Sequence, residues 1–374
     1  MNIALRSGVL ATAVAATFVL AACSPSNEQP KDTSAPQASD APAVELAGNL
    51  QGAGASSQES AMDAWRAGFQ GANTAVSVGY DPVGSGGGIE QFLSGAVSFA
   101  GSDALLGADE YALAADRCDG DGGAIHLPMY ISPVAVIFNV EGVSELNMSA
   151  EVIAKIFNGD ITSWDDPAIA AANEGVTLPA ATITVVNRSD SSGTTENFTD
   201  YLEQASNGAW PHEASKEFPE TAAQRVGAEK TAGVVDNVSA TPNAIGYADA
   251  SRAGGLGTVA LLVGDTYVPF SPEAAANIVT ASPLSSAANG PDDLAYAIDR
   301  TTTDPTAYPL TLVSYHLVCT QYDDPTERAL VTSFEKYVAS AEGQKVAADA
   351  AGSAPLSADL SAKVIAILDK IAKG

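Results

Sequence analysis

From about Val44 the chain repeats one pattern: a short alternating strand, a turn of Gly and Ser, then a helix with one apolar face. In the first unit "GNLQGAGASS" leads into Ala61, Met62, Trp65 and Phe69 at helical spacing. In the second, Val76, Val78 and Tyr80 alternate ahead of the glycines 84–88, and Ile89, Phe92 and Leu93 follow. A third strand, "AVSFAGSD", ends on Ser102-Asp103. The uniformly apolar "HLPMYISPVAVIFNV" reads as a long strand opening a second region. Its first helix is punctuated by Ser149 as cap, Glu151 in the first turn and Asn158-Gly159 at the end. "ITVV" is a strand, and the helix after it buries Phe198, Tyr201 and Leu202. "YPLTLVSYHLVC" is again a strand, and helices around Arg328–Val338 and Asp359–Ile371 close the chain. Strands alternating with helices predict an α/β fold.

The N-terminus has a different character. Arg6 precedes the apolar "GVLATAVAATFVLAA", and "LAAC" ends at Cys23. Small residues before a cysteine read as a lipoprotein signal over residues 1–22, with Cys23 acylated; the plainer alternative is an ordinary secretory leader. Residues 23–43 are rich in Ser, Pro, Ala and Gln, too poor in apolar surface to fold, and read as a flexible tether. The expected location is extracytoplasmic, lipid-anchored to the cell membrane. In such a compartment Cys118 and Cys319 are expected to form a disulfide, two buried thiols being the alternative. The formal charge of −28 excludes nucleic acid as a partner, because that binding needs Lys and Arg to meet phosphates.

Catalytic signatures are absent. His126, His212 and His316 are far apart, "PHEASK" lacks the second histidine of a zinc helix, and no nucleophile elbow or P-loop occurs. No enzyme activity, metal or cofactor is expected. What recurs is the turn feeding a helix N-terminus, where unpaired N–H groups and the helix dipole favour an anion. Ser56-Ser57, the run from Gly84 to Gly88, and Asp190 to Thr195 are three such turns, and Arg188 precedes the last. Each alone could be a simple cap; three together with one arginine point to a small oxyanion held by short-range contacts. Asp103 is repulsive to any anion that lacks a proton to donate, and Asp190 is placed to orient Arg188.

These segments resemble the PstS family, the substrate-binding proteins of high-affinity phosphate ABC importers. "GAGAS" (52–56), "GSGGGI" (84–89), "FAGSDALL" (99–106), "IFNGDITSWDD" (156–166) and "RSDSSGTTENF" (188–198) carry the resemblance, in the family's order and spacing. Ser57-Gln58 stand where many relatives have an aromatic residue and a proline. The resemblance implies a two-lobed periplasmic-binding-protein-like fold with a ligand cleft. Residues 44–127 plus 312–374 would form lobe I, and 128–311 lobe II. It implies phosphate contacts from Ser56, Ser85 and Asp103 in one lobe and from Arg188, Ser192, Gly193 and Thr194 in the other, with Asp190 supporting. Hinge closure on phosphate would be followed by docking on the permease and ATPase subunits of an importer. The rivals are a binding protein for sulfate or molybdate, a secreted phosphatase with a similar cradle, and a sensor or scavenger without a transporter.

The leader is directly testable. Intact-mass analysis of the membrane fraction should find the mature chain beginning at a diacylated or triacylated Cys23. Cys23→Ser should release or misprocess the protein, and unchanged membrane retention would refute the lipobox.

Overall fold

The computed structural model describes residues 46–118 and 122–374. The leader, Cys23 and the tether lie outside the described residues. Strand β1 (Gly48–Gly54) passes through the Ser56-Ser57 turn into α1 (Glu59–Ala72), which buries Ala61, Met62, Trp65 and Phe69 along one stripe. The unit repeats as β2 (Val76–Asp81) and α2 (Ser85–Leu93); β3 (Phe99–Ser102) and α3 (Ala108–Arg117) follow. After β4 (Ala124–Phe138) and β5 (Glu145–Met148) comes α4 (Ala150–Asn158), where Ser149 Oγ accepts from Val152 N–H and Gly159 ends the helix with φ 92°. A single turn, α5 (Pro167–Ala170), leads to β6 (Thr184–Arg188) and α6 (Gly193–Ala205). Two more strand–helix units are β7 (Arg225–Ala228) with α7 (Lys230–Ala240), and β8 (Ala244–Asp249), β9 (Gly257–Val263) and β10 (Thr266–Val268) with α8 (Pro272–Ala281). The chain finishes with β11 (Thr311–Cys319), α9 (Pro325–Ala339), α10 (Ala341–Ala351) and α11 (Ala358–Ile371).

The strands run in the order β2-β1-β3-β11-β4-β8-β6-β7, with β9 branching from β4 to pair β5 and β10. Strands β2, β1 and β3 are mutually parallel, as are β8, β6 and β7. Between these two parallel sets lie antiparallel β11 and β4, so the sheet has two parallel wings joined by a common spine. All fifteen residues of β4 are buried. It pairs β11 from Ala124 to Pro133 and β8 from Val134 to Phe138, serving both wings in turn. Its prolines mark the irregularities. Pro128 has no N–H to give the ladder, and the register shifts opposite it, between Ser314 and Tyr315.

Aromatic side chains pack under both wings within one continuous core. Under the first, Phe69 and Phe99 pack on Phe334 of α9, and Trp65 Nε1 donates to Gly343 O at 2.7 Å. Under the second, Phe198 stacks on Tyr247 with centroids 4.2 Å apart, and Phe157 meets Phe198 edge-on. These packings fix α6 against β8 and α4. The segment before β11 is pinned to β4 by Asp293, which accepts from His126 N–H at 2.8 Å and from Tyr111 Oη at 2.6 Å. The described residues belong to one compact unit.

Cys118 and Cys319 are disulfide-bonded, with Cα atoms 5.2 Å apart. The bond ties the end of α3 to the end of β11 across 201 residues of sequence. By loop entropy a closure of that length contributes up to about 5 kcal/mol. Cys118→Ser should therefore lower the denaturation midpoint markedly, and reduction should do the same to the wild type. Equal midpoints with and without reductant would show that the bond adds nothing.

Candidate functional site

The two parallel wings point the carboxyl ends of their strands toward each other, the end at which open α/β sheets present their loops. Ser56 follows β1, Ser85 follows β2, Asp103 follows β3, and Arg188 is the last residue of β6. The seven residues expected from the sequence, with Asp190, are thereby gathered at one locus. All of Ser56, Ser85, Asp103, Arg188, Ser192 and Thr194 are buried.

Asp103 is the meeting point. Its side chain is in contact with both wings: Ser57 Oγ donates to Oδ1 at 2.7 Å, and Thr194 Oγ1 donates to Oδ2 at 2.9 Å. Its N–H donates to Ser85 Oγ at 3.1 Å, and its carbonyl accepts from Asn197 Nδ2 at 2.7 Å. At 5% exposure, burial pushes the carboxyl pKa above the ordinary range. The hydroxyls of Ser314, Ser57 and Thr194 and the charge of Arg188 oppose that rise without cancelling it.

Arg188 is only 3% exposed and is gripped side-on. Its Nε donates to Asp190 Oδ1 at 2.7 Å, and its Nη2 donates to Asp190 Oδ2. This bidentate geometry fixes the guanidinium plane and leaves further N–H groups for another acceptor. Asp190 is itself positioned by Lys230 N–H at 3.0 Å. Burial alone would raise the Asp190 pKa, but Arg188 and Lys230 N–H outweigh it and keep the carboxylate ionised below its usual range.

Helix α6 begins on the opposite side of the same space. Ser192 is its N-cap, accepting from Thr195 N–H at 3.1 Å, and Gly193 and Thr194 form the first turn. Gly193 must be glycine: a Cβ there would lie 2.5 Å from Ser85 Oγ and 2.7 Å from Ala104 N. Gly84 is equally constrained, with φ 93° and a would-be Cβ 2.7 Å from Asp190 Oδ2. Backbone therefore meets backbone across the seam, as in the bond from Gly86 N–H to Ser191 O at 3.1 Å. A cavity of about 330 Å³ opens beside Asp103, lined by Asn197, Tyr296, Arg300 and Tyr315 among others.

Chemically the locus offers a fixed cation, helix N-termini, several hydroxyls and one carboxylate acceptor. Residues 31–342 match the profile of the PBP superfamily domain. Phosphate-binding protein PstS2 of Mycobacterium bovis (strain BCG / Pasteur 1173P2) is 34% identical over 379 residues, covering 98% of this chain and 99% of that one. PstS3 of the same organism is 35% identical over 292 residues, 76% of this chain and 77% of that one. The chain belongs to the PstS family. Its fold matches that of a high affinity periplasmic phosphate-binding protein solved with phosphate bound (TM-score 0.69, 24% identity, 85% of this chain and 93% of that one). It also matches a phosphate-binding protein from Stenotrophomonas maltophilia (TM-score 0.65, 21% identity, 85% and 93% covered). The fold is the two-lobed α/β fold expected from the sequence.

Four side chains that hydrogen-bond to the expected contact residues were not themselves among the expected contacts. Thr231, in the first turn of α7, gives its N–H to Ser56 Oγ at 3.0 Å and places Oγ1 3.1 Å from it. The available signal was a fourth strand–turn–helix, β7 into α7, but its turn carries Glu229-Lys230 instead of Gly and Ser. Tyr247 Oη accepts from Arg188 N–H at 3.2 Å and lies 2.8 Å from Thr195 Oγ1, and burial pushes its pKa to about 12, so it stays protonated. Asn197 stood inside a quoted motif without a role, and Ser57 was read only as part of the Ser56-Ser57 turn, with no contact to Asp103 expected. His212 lies away from the site, hydrogen-bonded to Asn158 Oδ1 at 3.1 Å.

Proposed function

We propose that this protein captures inorganic phosphate between its two lobes and delivers it to an ABC importer, without catalysing a reaction. The observation that carries the reading is the pairing of a fixed buried arginine with a buried carboxylate acceptor at the same locus. Arg188 supplies charge for an oxyanion, and Asp103 restricts the choice to anions that carry a proton. Hydrogen phosphate satisfies both demands; sulfate satisfies only the first.

In this reading Ser56, Ser85 and Asp103 contact the anion from one lobe. Arg188, Ser192, Gly193 and Thr194 contact it from the other, and Asp190 steadies the arginine. Lobe I is proposed as residues 44–127 plus 312–374 and lobe II as 128–311, with crossings inside β4 and at the start of β11. A hinge motion of the lobes completes the cage. The closed form then docks on the permease and ATPase subunits at the membrane to which an acylated Cys23 would tether it. Family membership supports the transport assignment, because the relatives of similar length are named phosphate-binding proteins.

Calorimetric titration of the mature domain with phosphate, sulfate and arsenate tests the ligand. Arg188→Ala should cost ~3–5 kcal/mol of phosphate affinity, the usual result of unpairing a buried charge. Its circular dichroism should remain native, since the side chain serves the cleft rather than an apolar core. A loss below about tenfold (~1.4 kcal/mol) would place the anion elsewhere.

Asp103→Asn separates phosphate from its isosteric rival. The carboxylate accepts only, so a sulfate oxygen would face a lone pair in a water-poor site. Sites built on such hydrogen bonds can discriminate by ~10⁴–10⁵-fold. The asparagine amide donates to either anion, so phosphate binding should survive with modest change while sulfate affinity rises and selectivity collapses. An unchanged phosphate-to-sulfate ratio in competition titrations would remove Asp103 from its role.

A further inference from the structure

We propose that Ser57 is a specificity-determining residue of this site, a built-in donor that keeps Asp103 set as the acceptor for a proton-bearing anion; this rests on the phosphate reading above. Ser57 is 1% exposed, and its hydroxyl lies 2.7 Å from Asp103 Oδ1. A hydroxyl aimed at a buried carboxylate favours the ionised form of that carboxylate, which alone can accept the proton of hydrogen phosphate.

The loop that carries Ser57 is anchored from below. The Gln58 side chain is fully buried, with Oε1 2.9 Å from His316 Nε2, and His316 Nδ1 lies 2.6 Å from Glu335 Oε2. An amide oxygen accepts only, so Nε2 carries the proton, and β11 and α9 together hold the position of Gln58. Ser57, one residue earlier, therefore presents its hydroxyl from a rigid support. On the same lobe Ala55 O accepts from Tyr80 Oη at 3.0 Å, which fixes the other end of the loop.

The other groups facing Asp103 are accounted for. Ser85 from α2 and Tyr80 from β2 lie on its own lobe, and Ser314 approaches from β11. Thr194 from α6 and the Arg188 cation from β6 approach from the other lobe. Burial holds the proton on Tyr80 well above its ordinary range, so it adds no charge. Ser57 differs from Thr194 in standing outside the set expected to contact the anion, so its removal perturbs Asp103 without removing a ligand contact.

The sign of the effect follows. Without Ser57 the ionised carboxylate loses a donor, and its pKa rises further. A protonated Asp103 donates a hydrogen bond and so accepts sulfate, which has no titration of its own near neutrality. Sulfate binding is thus a direct reporter of the protonation of Asp103, whereas phosphate has a proton to offer in both its physiological forms.

The test is a series of sulfate and phosphate titrations across pH on the wild type, Ser57→Ala and Ser57→Thr. For Ser57→Ala the pH profile of sulfate binding should move up by about one unit, giving roughly tenfold tighter sulfate binding at fixed pH above the pKa. Phosphate affinity should change by less than about threefold, which is below ~0.7 kcal/mol. Ser57→Thr, which keeps the hydroxyl, should restore the wild-type profile. A Ser57→Ala profile superimposable on wild type overturns the inference while leaving the phosphate assignment standing. A wild type that fails to prefer phosphate sinks that assignment itself, and the role of Ser57 with it. Should Ser57→Ala not fold by circular dichroism, Ser57→Cys offers a weaker donor of similar shape, and an unshifted profile there overturns the inference equally.

Discussion

A carboxylate buried where an anion is to be held is the constraint on which the rest of this structure depends. Asp103 lies at the end of β3 with an N–H, a carbonyl and two carboxylate oxygens all engaged, partly by its own lobe and partly by α6 of the other. An unpaired charge in that position would be expensive, so hydroxyls and an amide surround it on every side. Those same hydroxyls must come from separate lengths of chain, which is why three strand ends have to converge. The convergence in turn requires Gly84 and Gly193, because side chains at either would keep the walls apart. The sheet's two parallel wings and shared spine are the scaffold that makes the convergence possible.

Positive charge is used sparingly. With a formal charge of −28 the protein cannot draw an anion in over distances beyond a Debye length. Selectivity and affinity must therefore be generated at contact range. Arg188 suits that task because Asp190 neutralises it and aims it at once, and Tyr247 holds its backbone N–H. A lysine would supply the same charge without the planar, bidentate fix. The pair is nearly neutral to the outside and directional within, which is compatible with an acidic exterior.

Much of this was legible in the sequence because period and punctuation are local. The alternation of Val76, Val78 and Tyr80, the apolar stripe of α1 and the Ser149 cap of α4 are each decided within a few residues of chain, and each formed as expected. The loop from Arg188 to Thr194 could be read for the same reason: its cation, its orienting carboxylate and its helix cap are neighbours in sequence. What depended on distant pairing was not legible. Ser57 and Asp103 are 46 residues apart, and Thr231 and Ser56 are 175 apart. Burial is uniform along all fifteen residues of β4, so no hydrophobic alternation announces the change of partner at Pro133-Val134. The alanine-rich α10 offered too little contrast between faces to stand out from its neighbours.

The chemistry of the seam also bears on how the lobes could part. Its contacts are polar: Ser56 with Thr231, Gly86 N–H with Ser191 O, Thr194 and Asn197 with Asp103, and Lys216 with Glu110 at 2.8 Å. Each such bond is exchanged for one to water on opening, so its net worth is only about 1 kcal/mol. An apolar seam of similar extent would expose hydrophobic surface instead and resist separation. The aromatic contacts of Phe99 with Phe334 and of Phe198 with Tyr247 involve none of these seam bonds. On the proposed reading, closure is governed by a handful of weak, reversible bonds, and a small anion contributing charge-assisted bonds to both walls would be enough to decide it. The same reasoning, on that proposed reading, explains why Asp103 and Arg188 are each bound first to their neighbours: the walls must remain soluble when apart and become a cage only when the anion joins them.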